Sequence, residues 1–226
     1  MIVLSLGGSM INRQEGIDHA FLAEMKRIIG QSNEKFGIVT GGGFAAREYA
    51  KKAKKKGASE FEADEAAIKG TWENAKTTIK ALGKMASPTL FKDFNKAKAA
   101  MKKYKVVVMG GTIPGITTDT DSVLLAECIG AKRLINISNV DAVYDSDPRT
   151  NPNAKKFLKM THDELIMLAV GSDKRTAGTN FIFDMLACKL ASRSSIEINF
   201  VSGKNLEEVK KAINHQKYDG TVVTRS

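Results

Sequence analysis

Apolar residues in this chain fall into short unbroken runs separated by longer stretches with helical spacing. Ile2-Val3-Leu4, Phe36-Gly37-Ile38-Val39-Thr40 and Val106-Val107-Val108-Met109 are rich in β-branched residues and have strand length. They predict strands at 2–6, 36–40 and 105–109. Leu134-Ile135-Asn136-Ile137-Ser138, the run 196–201 and Thr221-Val222-Val223-Thr224 predict three more, and 88–91 a short one. Between them the spacing predicts helices near 18–30, 44–56, 60–82, 119–129 and 161–170, and one from Asp93 to about Lys102. Another spans 180–193, with Phe181, Met185, Leu186, Leu190 and Ala191 on one side. Ser59 with Glu62 and Thr161 with Glu164 form capping-box patterns, and Asn205 with Glu208 marks a further helix start. The stretch 139–159, rich in Asn, Asp, Pro and Lys, predicts irregular structure. Strands alternating with helices imply an α/β chain with a largely parallel sheet covered on both faces.

Three of the strands open directly into glycines: Leu6-Gly7-Gly8-Ser9, Gly41-Gly42-Gly43 and Gly110-Gly111-Thr112. Backbone without side chains approaches a ligand closely, and unpaired N–H groups at a helix start favour anions. Ligands of such sheets bind beyond the carboxyl ends of the strands, where all three glycine turns fall. Three phosphate nests in one chain predict a site for several phosphates.

At 226 residues and 42% hydrophobic, the chain can bury one sizeable core and is expected to form one domain over 1–226. It has neither a run long enough to span a bilayer nor a leader-like start, which predicts a cytoplasmic protein. Cys128 and Cys188 lie in helical patterns and read as free thiols. The net charge of +10 peaks at Lys51, Lys52, Lys54, Lys55 and Lys56, at a helix end. Only Tyr49 is interleaved there, which argues for a solvated face and against nucleic acid. A general field attracting anionic substrates fits the charge as well.

Several phosphate and hydrolase chemistries are excluded. The P-loop pattern GxxxxGK[ST] finds its nearest match at 110–117, with Ile116 where lysine is required. Gly41-x-Gly43-x-x-Ala46 fits a dinucleotide fingerprint, but the charged, alanine-rich stretch 51–64 cannot be the strand that should deliver the acid Asp64. His19, His162 and His215 are scattered without metal-ligand spacing.

One set of motifs is more specific. It comprises Gly7-Gly8-Ser9, Gly41-Gly42-Gly43 with Arg47, Gly110-Gly111-Thr112-x-Pro114-Gly115-x-Thr117-Thr118-Asp119, and Ser138-Asn139-Val140-Asp141-Ala142-Val143-Tyr144-Asp145-Ser146-Asp147-Pro148. In this order the set resembles the amino-acid kinases, and among them the archaeal-type uridylate (UMP) kinases, from residue 2 to about 224. Taken singly, Asp147-Pro148 is only a turn, Tyr144 a core aromatic and Asp64 a helix-face carboxylate.

The resemblance implies a three-layer αβα sandwich of the carbamate-kinase-like type. Its acceptor part would run over roughly 1–130 and its ATP part over 131–226. Gly7, Gly8, Ser9, Gly43 and Arg47 would hold the ATP phosphates, and Ser138, Asn139, Tyr144 and Asp147 the adenosine. Gly42, Asp64 and Thr112, Ile113, Pro114, Gly115, Ile116, Thr117 and Thr118 would hold UMP. Arg47 and Ser9 are the expected catalytic donors, Mg²⁺ the cofactor without assignable protein ligands, UTP a feedback inhibitor and a homohexamer the assembly.

The chain departs from the family pattern at five places. Ser5 stands where bacterial relatives carry a catalytic lysine, and Phe44 where archaeal ones can. Ile113 and Ile116 replace frequent histidines, and Trp72 an expected arginine. These leave two alternatives: a kinase of another small acceptor, such as isopentenyl phosphate or carbamate, and a non-catalytic nucleotide- or oxyanion-binding member.

Overall fold

A computed structural model describes residues 1–148, 150–172 and 183–225. The chain begins with β1 (Ile2–Leu6), α1 (Gly8–Ile11), β2 (Asn12–Arg13), β3 (Gly16–Ile17), α2 (His19–Gln31), β4 (Phe36–Thr40), α3 (Gly43–Lys55) and α4 (Glu60–Leu82). Then come β5 (Ala86–Phe91), α5 (Phe94–Ala100), β6 (Val106–Met109), α6 (Thr118–Ile129), β7 (Arg133–Ser138), β8 (Val143–Tyr144), β9 (Lys156–Phe157) and β10 (Lys159–Thr161). The chain closes with α7 (His162–Ser172), α8 (Met185–Ser194), β11 (Glu197–Ser202), α9 (Leu206–Ile213) and β12 (Gly220–Thr224). The predicted helix start at 180–182, with Phe181, lies outside the described residues.

An eight-stranded sheet in the order β10-β12-β11-β7-β1-β4-β6-β5 forms the middle layer. All of its pairings are parallel except β11 with β12. β1 lies between β4 and β7 with Leu6 opposite both Thr40 and Ile137, so the turns that follow these strands emerge together. Strand order reverses about β1, which opens a crevice between the loops after β1 and β7.

Successive residues of a strand face opposite layers. Val3 therefore joins a core with Leu125, Leu134, Phe183 and Phe200, while Ile2, Leu4 and Leu6 join another with Phe21, Met25, Phe36 and Ile135. Burial on both faces is what makes these strands read as unbroken apolar runs. α3 contributes no fully buried residue; it lies on α4 as an outer layer, with Lys51, Lys52, Lys54, Lys55 and Lys56 exposed, as expected of a solvated face.

Capping chemistry explains several helix starts. Ser59 Oγ accepts from Glu62 N at 3.3 Å while Glu62 Oε2 accepts from Ser59 N at 2.8 Å. Thr161 and Glu164 exchange the same pair of bonds. Asn205 does not cap its helix through its side chain; Glu208 instead takes the Lys211 ammonium and Asp219 N–H, both at 2.6 Å. Glu208 N–H is bonded to the Asn205 carbonyl at 3.2 Å. The stretch expected to be irregular contains a two-residue antiparallel ladder, β8 with β9. Lys156 anchors it, with its ammonium 2.7 Å from Asp141 and 2.6 Å from Asp219.

The turns after β1 and β4 touch backbone to backbone. A Cβ on Gly8 would stand 1.9 Å from Gly43 N, whereas one on Gly30, in α2, would meet only Met85 Sδ at 3.6 Å. Gly8→Ala should lower stability by about 3 kcal/mol or more through overpacking, and Gly30→Ala should raise it by up to ~1 kcal/mol. Urea unfolding of the two variants beside the parent checks both signs.

Candidate active site

The first two glycine turns form one unit. A Cβ on Gly41 would lie 2.7 Å from Gly8 N, and one on Gly43 would lie 2.4 Å from Gly8 O. Gly43 also has φ +58°, a left-handed backbone that other residues reach at a cost. Gly7 N–H donates to Ile137 O at 2.8 Å, and a Cβ there would meet that same oxygen at 3.1 Å and Ser138 Cα at 3.4 Å. The Gly7-Gly8 turn therefore touches the Gly41–Gly43 turn on one side and the start of the Ser138 segment on the other. Gly8, Gly43 and Phe44 open their helices, ahead of any intrahelical acceptor for their N–H groups. Arg47 is exposed and Ser9 partly so, and neither side chain has a hydrogen bond or ion pair among the described residues.

α4 fixes the second and third turns from below. Asn74 Nδ2 donates to Gly41 O at 2.8 Å, and Thr40 Oγ1 to Thr71 O at 3.0 Å. Gly111 N–H donates to Thr71 Oγ1 at 2.7 Å, and Gly111 O accepts from Trp72 Nε1 at 2.8 Å. The third glycine turn is thus not a free nest: the Gly111 N–H is spent inside the protein. A Cβ on Gly70 would strike Ala46 N at 2.6 Å, so α3 and α4 meet as closely as the turns do.

The loop that follows is tied at three points. Asp64 Oδ2 accepts from Gly115 N at 3.0 Å, and Gly115 has φ +86°. Thr112 donates to Asp121 through Oγ1 at 2.6 Å and through N at 3.2 Å. Thr117 Oγ1 donates to Asp184, which also accepts from Thr120 Oγ1 at 3.0 Å and from Ala187 N at 2.8 Å. Ile113 is 58% exposed, so it is not core packing. Pro114 and Ile116 are half-buried, and Thr118 opens α6.

Acids gather at the start of α6. Asp119 Oδ1 accepts from Ser5 Oγ and from Asn136 Nδ2, both at 3.1 Å, which places it between the ends of β1 and β7. Burial, with the Asp184 charge adding to it, pushes Asp119 up to about 7 against the two donors. Burial likewise raises Asp121 to about 6, opposed by the two Thr112 bonds. The Cys188 thiol is held well above its ordinary range by burial beside Asp184 and Asp119. Among the described residues no three His, Cys, Asp or Glu side chains converge as metal ligands.

Beyond Ser138 the chain forms a turn, with Val140 N donating to Ser138 Oγ at 3.1 Å. Asn139 is exposed, and Tyr144 Oη donates to the Asp141 carboxylate at 3.1 Å. Asp147 is exposed, and its carbonyl accepts from Asn151 N at 2.8 Å. Sequence reasoning quoted Asp119 without giving it a role and passed over Asp121, Asp184 and Asn136. The available signals were polar Ser5 and Asn136 inside buried apolar runs.

The profile of the amino acid kinase family matches residues 1–202. A uridylate kinase of Archaeoglobus fulgidus is 40% identical over 222 residues, covering 98% of this chain and 99% of that protein. One of Thermococcus onnurineus is 39% identical over 225 residues, covering 98% of each. The crystal structure of the Archaeoglobus fulgidus uridylate kinase superposes with a TM-score of 0.86 at 37% identity and 99% coverage of both chains. With the strand order, the joined glycine turns and these matches together, the chain belongs to the amino acid kinase family.

Proposed function

We propose that this protein is a UMP kinase, transferring the γ-phosphoryl group of ATP to UMP to give UDP and ADP. One observation carries the reading from geometry: the glycine turns after β1 and β4 are in backbone contact, and the first of them also adjoins the Ser138 segment. Donor and acceptor phosphates then share one crevice, in a chain about 40% identical to a uridylate kinase over nearly its whole length.

A phosphate oxygen of UMP attacks the γ-phosphorus, and the bond to the β–γ bridging oxygen breaks with its electrons leaving on ADP. The nucleophile's second pKa is about 6, so it is ionised at neutral pH and needs no general base. What remains is to bring two polyanions into line and neutralise the transferring group. On this reading Gly7, Gly8, Ser9, Gly43 and Arg47 hold the ATP phosphates, with Ser138, Asn139, Tyr144 and Asp147 around the adenosine. Gly42, Asp64 and the loop 112–118 hold UMP, its ribose hydroxyls sharing the Asp64 carboxylate with Gly115 N–H. Arg47 and Ser9 serve the transferring group; both are uncommitted in the free protein, which suits donors that await a ligand.

Mg²⁺ belongs to the same reading. The described residues build no cage of converging acids, so the ion fits as one carried by ATP phosphates and water. Asp119 lies between the ends of β1 and β7, where burial raises its pKa and favours the neutral carboxyl. It therefore repels incoming phosphates less than an ordinary aspartate. Homo-oligomeric assembly and feedback by UTP are further parts of the proposal.

ADP release measured across UMP, CMP, dUMP, AMP, GMP and isopentenyl phosphate should be strong with UMP alone. Preference for another acceptor would keep the fold and displace the substrate, and silence with every acceptor despite ATP binding would make the chain a non-catalytic member. Arg47→Met should cut kcat by about 10²–10³, the loss seen when one donor to a developing charge is removed. Its melting temperature should not change, because the side chain is exposed and without a partner.

Asp119 also gives a pH-dependence with a definite sign. Its folded pKa of about 7 lies above the ordinary 3.8, so the folded state holds the proton more tightly than the unfolded chain. That contribution is fully present below pH 3.8 and is lost as pH rises through about 7. Asp119→Asn, which can still accept from Ser5 and Asn136, should melt above the parent at about pH 8 and no higher at about pH 4. Calorimetry at the two pH values measures this; an equal gain at both would remove the titration as its cause.

A further inference from the structure

We infer that Trp72, braced by Lys92, is the positioning residue that sets the acceptor loop. This rests on the UMP kinase reading for the identity of the acceptor. Gly111 has one backbone donor and one acceptor, and both are bound to consecutive residues of α4. Its N–H donates to Thr71 Oγ1 at 2.7 Å, and its carbonyl accepts from Trp72 Nε1 at 2.8 Å. Two bonds of opposite polarity on one residue fix the peptide planes on either side of it, and so the direction in which 112–118 leaves the sheet.

Thr71 is itself fixed, with Oγ1 donating to Ile68 O at 2.6 Å and its carbonyl accepting from Thr40 Oγ1 at 3.0 Å. Trp72 is only half-buried and needs another restraint. Lys92 supplies it: Nζ stands 3.2 Å from the centre of the indole ring. An ammonium at the face of an indole is attracted by the ring's negative quadrupole and holds the ring in plane. Lys92 is exposed and follows β5 directly, at the same end of the sheet as Gly110 and Gly111.

The fit leaves little freedom. A Cβ on Gly110 would lie 2.9 Å from Trp72 Cδ1, so the ring also closes the space beside the turn. Tryptophan at this position thus combines a donor for the Gly111 carbonyl, a flat surface against Gly110 and a face for Lys92. Phenylalanine keeps the surface and the face and loses the donor, while Lys92→Met keeps Trp72 and loses the brace.

Trp72 is the one tryptophan of the chain, so its emission reports the site without labelling. UMP, and not ATP alone, should change the emission of the parent protein. Trp72→Phe should raise the KM for UMP about five- to tenfold, the loss expected of one hydrogen bond, while the KM for ATP stays within about twofold. Amide exchange of 110–118 should quicken in the same variant without a matching change across β1 and β7. Lys92→Met should raise the KM for UMP by about two- to fivefold. Lys103→Met, which removes the ammonium 5.5 Å from the Tyr104 ring, should leave both KM values unchanged. Unchanged exchange at 110–118 in Trp72→Phe, or KM values for ATP and UMP that rise together, would overturn the inference. A parent protein that does not phosphorylate UMP would overturn the proposed function instead, and amide exchange, which needs no turnover, would still decide the role of Trp72.

Discussion

The backbone contact between the turns after β1 and β4 constrains everything built around it. No side chain fits between Gly8 and the Gly41–Gly43 turn, so the two strands must end level, as the pairing of Leu6 with Thr40 requires. With the turns locked, α3 must begin at Gly43 in a left-handed conformation. That in turn places Arg47 one turn into the helix, above the junction. Such a contact contributes little favourable energy of its own, since it buries few apolar atoms. Its effect is to exclude alternatives, because the neighbouring strands can pack only when their ends meet this way.

Helix α4 maintains that geometry. It reaches the second turn through Asn74 and the third through Thr71 and Trp72, and its first turns carry Asp64 to Gly115. The bonds come from positions 64, 71, 72 and 74 of one rigid helix, so the loop 112–118 and the second glycine turn cannot drift independently. Thr71 and Asn74 are buried, and their bonds to backbone gain strength from exclusion of water.

Much of this was legible in the sequence. Strands buried on both faces announce themselves as unbroken apolar runs, and 2–6 and 36–40 are found with the predicted bounds. Ser59–Glu62 and Thr161–Glu164 were readable because a capping box is a local interaction. The β8–β9 ladder was not, since two-residue strands have no periodicity and depend on Lys156 reaching Asp219, 63 positions away. The glycine turns were recognisable, but which N–H groups they leave free was not. That Gly111 donates to Thr71, 40 positions earlier, follows from how α4 lies under β6. Asp119, likewise, looks like an ordinary acid in the first turn of a helix until Ser5 and Asn136 converge on it from two strands.

An acidic cluster beneath the proposed phosphate site poses an electrostatic problem, and the placement of charge resolves it. Asp119, Asp121 and Asp184 are each satisfied by hydroxyl, amide or backbone donors, and burial raises the pKa of Asp119 and Asp121, favouring their neutral forms. The excess positive charge lies elsewhere, with α3 presenting its lysines to solvent and Lys54 paired to Glu60 at 2.8 Å. Those lysines draw anions toward the protein over about a Debye length but cannot orient a phosphate. On the proposed function, orientation falls to fixed groups: backbone N–H donors of the joined turns, and Arg47, whose planar guanidinium can bind two oxygens at once. With Ser5 and Phe44 offering no charge, Arg47 is the first cation along α3. Under the proposed function, binding separates into a diffuse field that recruits and a rigid backbone that aligns, and only the second requires glycine.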